Sequence, residues 1–142
     1  MISNTPFMQL AYDQAVIAYN KKEVPIGALS VFNNEIISSS YNQKEISNDP
    51  TAHAEMIVIR ETAKKLKSWR LTDVTLYVTV EPCIMCVGAL FVARIATLVY
   101  GCDEHRWGAV NSLYKMTGDN RLNHRIEVIP KIMEKECREL LQ

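Results

Sequence analysis

The order of elements along the chain predicts an α/β domain of three layers (α/β/α), with helices on both faces of a central mixed five-stranded sheet. Three observations carry that expectation. An amphipathic helical stretch is followed at once by a hairpin; two apolar, β-branched strands then alternate with helices; a short strand and a last amphipathic helix close the sequence. With 142 residues the chain can bury a core of its own, and residues 1–142 are taken as one domain.

"FMQLAYDQAVIAYNKK" carries Leu10, Ala11, Ala15, Ile17 and Ala18 at helical spacing and closes on Lys21 and Lys22. "IGALSVF" predicts a strand, "NN" a tight turn and "EIISSSYN" its hairpin partner. After a loop over residues 43–48, a helix is expected to open at "DPTAHAE" and run to about Leu66, burying Met56, Ile59, Ala63 and Leu66. "DVTLYVTV" is apolar almost throughout, as a central strand covered on both faces would be. "CIMCVGALFVARI" predicts a helix, "ATLVYG" and "HRIEVIP" strands, and "KIMEKECRELL" a final helix turning Ile132, Met133, Cys137, Leu140 and Leu141 inward. The two middle strand-to-helix units are expected side by side, each helix starting near the strand ends where α/β folds build their sites.

Sixteen basic residues balance sixteen acidic ones, which argues against a broadly basic, non-specific nucleic-acid binder. The first residues lack the pattern of a signal peptide, and no run approaches the roughly 18 apolar residues of a membrane span. The expectation is a cytoplasmic protein with no membrane partner, in which the Cys83–Cys86 pair serves metal or redox chemistry more than a disulfide.

"DPTAHAEM" sets His53 and Glu55 in what reads as a first helical turn. Helix capping by Asp49 or Thr51, with Pro50 opening the helix, is the plain explanation. "VEPCIMCVGAL" offers the other, because Cys83 and Cys86 share one side at the start of a second helix, whose positive end favours thiolates. Two adjacent helix starts facing one point would gather His53, Cys83 and Cys86 around a single zinc. Three protein ligands leave the fourth position open to water, as in catalytic sites, and Glu55 would move protons there. A redox pair leaves His53 unexplained. A structural zinc would need Cys102, Cys137, His105 or His124, and the two cysteines read better as small apolar fillers.

H-x-E followed by P-C-x-x-C is the signature of zinc nucleobase deaminases. Through "EVPIGA", "DPTAHAE", "LYVTVEPCIMCVGAL", "GAVNSL" and "NHRIEV" the chain resembles the cytidine deaminase superfamily, most closely the bacterial tRNA-specific adenosine deaminases. The resemblance implies a cytidine deaminase-like fold, a homodimer with one Zn2+ per subunit, and conversion of the wobble adenosine of a tRNA anticodon stem-loop to inosine. It implies Glu55 as the catalytic proton shuttle and His53, Cys83 and Cys86 as metal ligands. Asn42 and the backbone N–H of Ala54 would hold the target base, Ile26 would wall the pocket, and Asp103 and Glu104 would face the neighbouring nucleotide. Asn123, His124 and Arg125 resemble a segment near bound RNA.

Departures are visible too. "CDEHRWG" places Glu104 and Arg106 where the family usually has aspartate and lysine, and adds Trp107. Asn111 replaces a usual glycine, and "CRELLQ" ends without the aromatic and basic helical extension common in the family. A free guanine or cytosine deaminase with the same zinc chemistry, and a non-catalytic zinc-stabilised RNA-binding domain, are the competing readings.

Overall fold

A computed structural model describes residues 3–142. The elements, in order, are α1 (Thr5–Asn20), β1 (Gly27–Phe32), β2 (Glu35–Tyr41), α2 (Ala54–Leu66), β3 (Thr75–Val80), α3 (Ile84–Val92), β4 (Thr97–Cys102), β5 (Glu127–Ile129) and α4 (Glu134–Leu141), with a 3-10 turn at Met116–Gly118. Asn33 and Asn34 both adopt positive φ, which is why "NN" closes the β1–β2 hairpin.

The five strands lie in the order β2-β1-β3-β4-β5. β1 runs antiparallel to both β2 and β3, and β3, β4 and β5 are parallel. The sheet is therefore mixed, as expected, and α1 and α4 cover one face while α2 and α3 cover the other. Alternation along the strands feeds the two layers. Leu76, Val78, Leu98 and Tyr100 join Val58, Val87 and Leu90 under α2 and α3, whereas Leu29, Tyr77 and Val99 pack with Met8 and Ala11 of α1.

Three expectations need correction. β2 and β3 are not neighbours, because β1 lies between them; it is the helices α2 and α3 that touch. In α1, Leu10 and Ile17 are outside at 44% and 38% exposure, and the buried stripe is Met8, Ala11, Ala15 and Ala18. The cause is close approach: a Cβ on Gly27 would collide with backbone atoms of Ala11 and Ala15, so only small residues fit where α1 crosses Gly27. In α2 the buried face is Ala54, Glu55, Val58 and Thr62, with Ile59, Ala63 and Leu66 at its margin and Met56 half-buried.

The register puts one set of chain ends at one edge of the sheet. Gly27 faces Tyr41, Ala28 faces Val78, and Val80 faces Cys102. Residues just before β1 and just after β2, β3 and β4 therefore converge there, and so do the starts of α2 and α3.

Candidate active site

α2 begins at Ala54, later than Pro50 suggests, because Asp49 caps a separate turn. Its Oδ1 accepts from the backbone N–H and the hydroxyl of Thr51, both at 2.8 Å. His53 is thus the N-cap residue in extended conformation, and Cys83 takes the same place at the start of α3. Each cap residue projects from a helix end, so two first turns present side chains to one point.

His53 Nδ1 lies 3.6 Å from Cys83 Sγ and 3.5 Å from Cys86 Sγ. The three donor atoms all fall within 4.8 Å of one another, forming the group suited to a metal among the described residues. Tetrahedral bonds of about 2.3 Å to sulfur and 2.0–2.1 Å to nitrogen place those ligand atoms about 3.5 Å apart, so the spacing fits one ion between them. Among the described residues no fourth side chain of a ligating type joins the trio.

The electrostatics of the trio follow from proton sharing. Cys86 beside it and His53 behind it hold Cys83 as a thiolate, pulling its pKa down to about 4. The Cys83 sulfur in turn pushes the Cys86 thiol up, with burial adding to the effect. The hydrogen bond to Cys83 raises His53. Glu55, 4% exposed, is driven up to about 7 by burial.

His53, Cys83 and Glu55 line a cavity of about 550 Å³, within the roughly 300–1,000 Å³ of small-molecule sites. Ile26, Asn42, Ala54 and Glu104 share it with His53, Glu55 and Cys83. Asn42 is buried. Its Nδ2 donates to Val24 O at 3.4 Å and its Oδ1 accepts from Lys44 N–H at 3.3 Å, leaving one hydrogen and one lone pair for a ligand. As the first residue of α2, Ala54 has an N–H with no intrahelical acceptor. Ile26 is half-buried and packs against the core below the cavity.

Asp103 is not on the cavity wall. Its carboxylate accepts from Tyr100 Oη at 2.8 Å and Asn111 Nδ2 at 3.3 Å, so it braces the loop behind Glu104. His124 and Arg125 are not brought to the cavity either. His124 is bonded to Ile95 O at 2.7 Å and stands edge-on to Phe91, near the start of β4, and Arg125 donates to Asn120.

Sequence reasoning passed over Glu81. This buried carboxylate accepts N–H groups of Glu104 (3.0 Å), Val110 (2.9 Å), Asn111 (2.7 Å) and Ser112 (3.0 Å), and the Ser112 hydroxyl. It ties the 104–112 loop to the start of α3. The signal was an acid at the end of an otherwise apolar strand, which demands compensating donors.

The MafB19-like deaminase family model matches residues 2–140. The tRNA-specific adenosine deaminase of Streptococcus pyogenes serotype M1 is 43% identical over 138 residues, 97% of this chain and 81% of that protein. A solved structure from work on A-to-I editing by tRNA:A34 deaminases at the wobble position is 40% identical, with a TM-score of 0.93 over 96% of this chain and 99% of that one. Guanine deaminase from Bacillus subtilis superposes over 72% of this chain and 66% of its own, with 36% identity and a TM-score of 0.68. The metal-suited trio, the buried acid beside it and kinship along almost the whole sequence agree: this chain belongs to the MafB19-like deaminase family and, within it, groups with the tRNA-specific adenosine deaminases.

Proposed function

We propose that the protein is a hydrolytic deaminase that converts adenosine to inosine at the wobble position of a tRNA anticodon, with His53, Cys83 and Cys86 holding one zinc per subunit. The observation that carries this reading is the 3.5–3.6 Å spacing of His53 Nδ1 from two cysteine sulfurs, with buried Glu55 on the same cavity. The donor set, one imidazole and two thiols, suits zinc. When bound, zinc would supply the Lewis acidity that lowers the pKa of a water towards neutrality.

The chain's own groups do the rest. Glu55 takes one proton from the attacking water and delivers it to the purine ring nitrogen, then carries the second, from the new hydroxyl, to the departing amine. Adenosine and water thus become inosine and ammonia. Burial raises the carboxyl to about 7, and a dication bound beside it would pull the other way, favouring the carboxylate that accepts a proton. Asn42 and the Ala54 N–H orient the base, and Ile26 closes the apolar wall against it. Glu104 stands at the rim, where a nucleotide next to the target would lie, with Asp103 bracing the loop from behind.

The same reading includes a single deaminase domain, a cytoplasmic location where tRNA is found, and a homodimer. No helix among the described residues is long and apolar enough to cross a membrane. Support for pairing comes from an apolar surface where α2 meets α3, built from Ile59, Ala63, Trp69, Ala89 and Val92.

The likeness to guanine deaminase gives the competing substrate class. Incubation with an anticodon stem-loop bearing the wobble adenosine, beside free adenine, guanine and cytosine, separates the two. Inosine forms in the hairpin if the proposal holds; conversion of a free base alone overturns it.

A further inference from the structure

Trp107 stands at the mouth of the same cavity as His53, Glu55 and Cys83, with 63% of its surface exposed. Among the described residues it has neither an aromatic nor a cationic partner for its ring. The backbone that carries this exposed side chain is held by several hydrogen bonds. Gly108 pairs with Cys83 in an antiparallel bridge, and the Ala109 N–H donates to Pro82 O at 2.9 Å. The Gly108 N–H closes a tight turn onto Glu104 O at 2.7 Å. Glu81 fastens both ends of the loop through Glu104 and residues 110–112. The indole is exposed on a backbone pinned on either side, so a ligand would have to order the side chain alone.

Two further features indicate what it would bind. A purine fills only a fraction of the cavity, leaving room beside it for the next nucleotide. The neighbouring Arg106 guanidinium is held only loosely, at 3.4 Å from Glu104, and is 80% exposed, placing a positive charge where a phosphate linkage would pass. A flat π face at the rim of a base-sized pocket, next to a cation, matches the chemistry of an unpaired RNA strand.

We propose that the Trp107 indole is a stacking platform for the nucleobase adjoining the target adenosine. This subsite rests on the RNA-substrate reading above. It makes Trp107 a residue that selects an unstacked loop over a free base.

The test uses an anticodon stem-loop and two versions carrying an abasic residue on the 5′ or the 3′ side of the target. Trp107→Ala is expected to raise KM roughly tenfold to a hundredfold on the intact hairpin, with kcat affected less. Trp107→Phe recovers most of the loss, and one abasic hairpin makes wild type and Trp107→Ala equal. In Trp69→Phe protein Trp107 is the sole indole, and its emission is quenched by the intact hairpin but not by that abasic one. Inosine formation with an unchanged KM in Trp107→Ala, or an equal KM loss on all three hairpins, sinks the subsite alone. Absence of inosine with wild type sinks the RNA reading and the subsite with it.

Discussion

The carboxylate of Glu81 occupies the space that a side chain on Gly108 would need: a Cβ built there runs into both of its oxygens. A buried carboxylate satisfied by four backbone N–H groups has no easy way to step aside. Gly108→Ala should therefore destabilise the protein by about 1–3 kcal/mol, the usual cost of overpacking. It should also disturb the loop that carries Glu104 and Trp107. Thermal melts together with KM on the stem-loop check this; an unchanged melting temperature would show that the loop yields freely.

Glu55 is a stability liability in the metal-free protein. Its folded-state pKa is raised from 4.5 to about 7, so the penalty is absent below pH ~4.5 and complete above about 7, reaching on the order of 3 kcal/mol. Glu55→Gln should then raise the melting temperature of the metal-free protein at pH 8 and leave it nearly unchanged at pH 4. Equal gains at both pH values would show that ionisation of Glu55 is not the cause.

How much of this was legible beforehand depended on how local each signal was. The zinc-type trio could be read because each half sits at a helix start, where a few adjacent residues fix the geometry. The same locality misplaced the start of α2: Asp49 and Pro50 look like a helix opening, but Asp49 caps the turn at Thr51. Packing across layers was harder to see. Leu10 and Ile17 follow the helical period of α1, yet the approach of Gly27 turns the face with Ala11 and Ala15 inward instead, with Met8 and Ala18 in line. Glu81 went unread because its partners lie 23–31 residues away, and no spacing rule connects them.

Metal affinity should fall in acid. The Cys86 thiol is held protonated by Cys83 and by burial, and His53 is raised by Cys83, so binding must displace at least one proton near neutrality, while Cys83 is already a thiolate above about pH 4. Zinc Kd, measured by competition with a chromophoric chelator at pH 6, 7 and 8, should weaken about tenfold per unit for each proton displaced. A flat profile would exclude Cys86 as a ligand.

The apolar surface at α2 and α3 exposes 69% of Val92 and 61% of Trp69. If this is the subunit contact, Val92→Glu buries an unpaired charge there and shifts the protein to monomers in sedimentation experiments. A wild type that sediments as a monomer, or a variant that stays dimeric, would place the contact elsewhere or remove it.

The central claim is that three side chains hold zinc while a fourth, not a ligand, moves the protons. Glu55→Gln measured for zinc content and for inosine formation in the anticodon stem-loop tests both halves at once. The account predicts one zinc per chain in both proteins and turnover reduced by roughly 10²–10⁴-fold in the variant. Wild-type turnover in Glu55→Gln, or active wild-type protein without stoichiometric zinc, would contradict it.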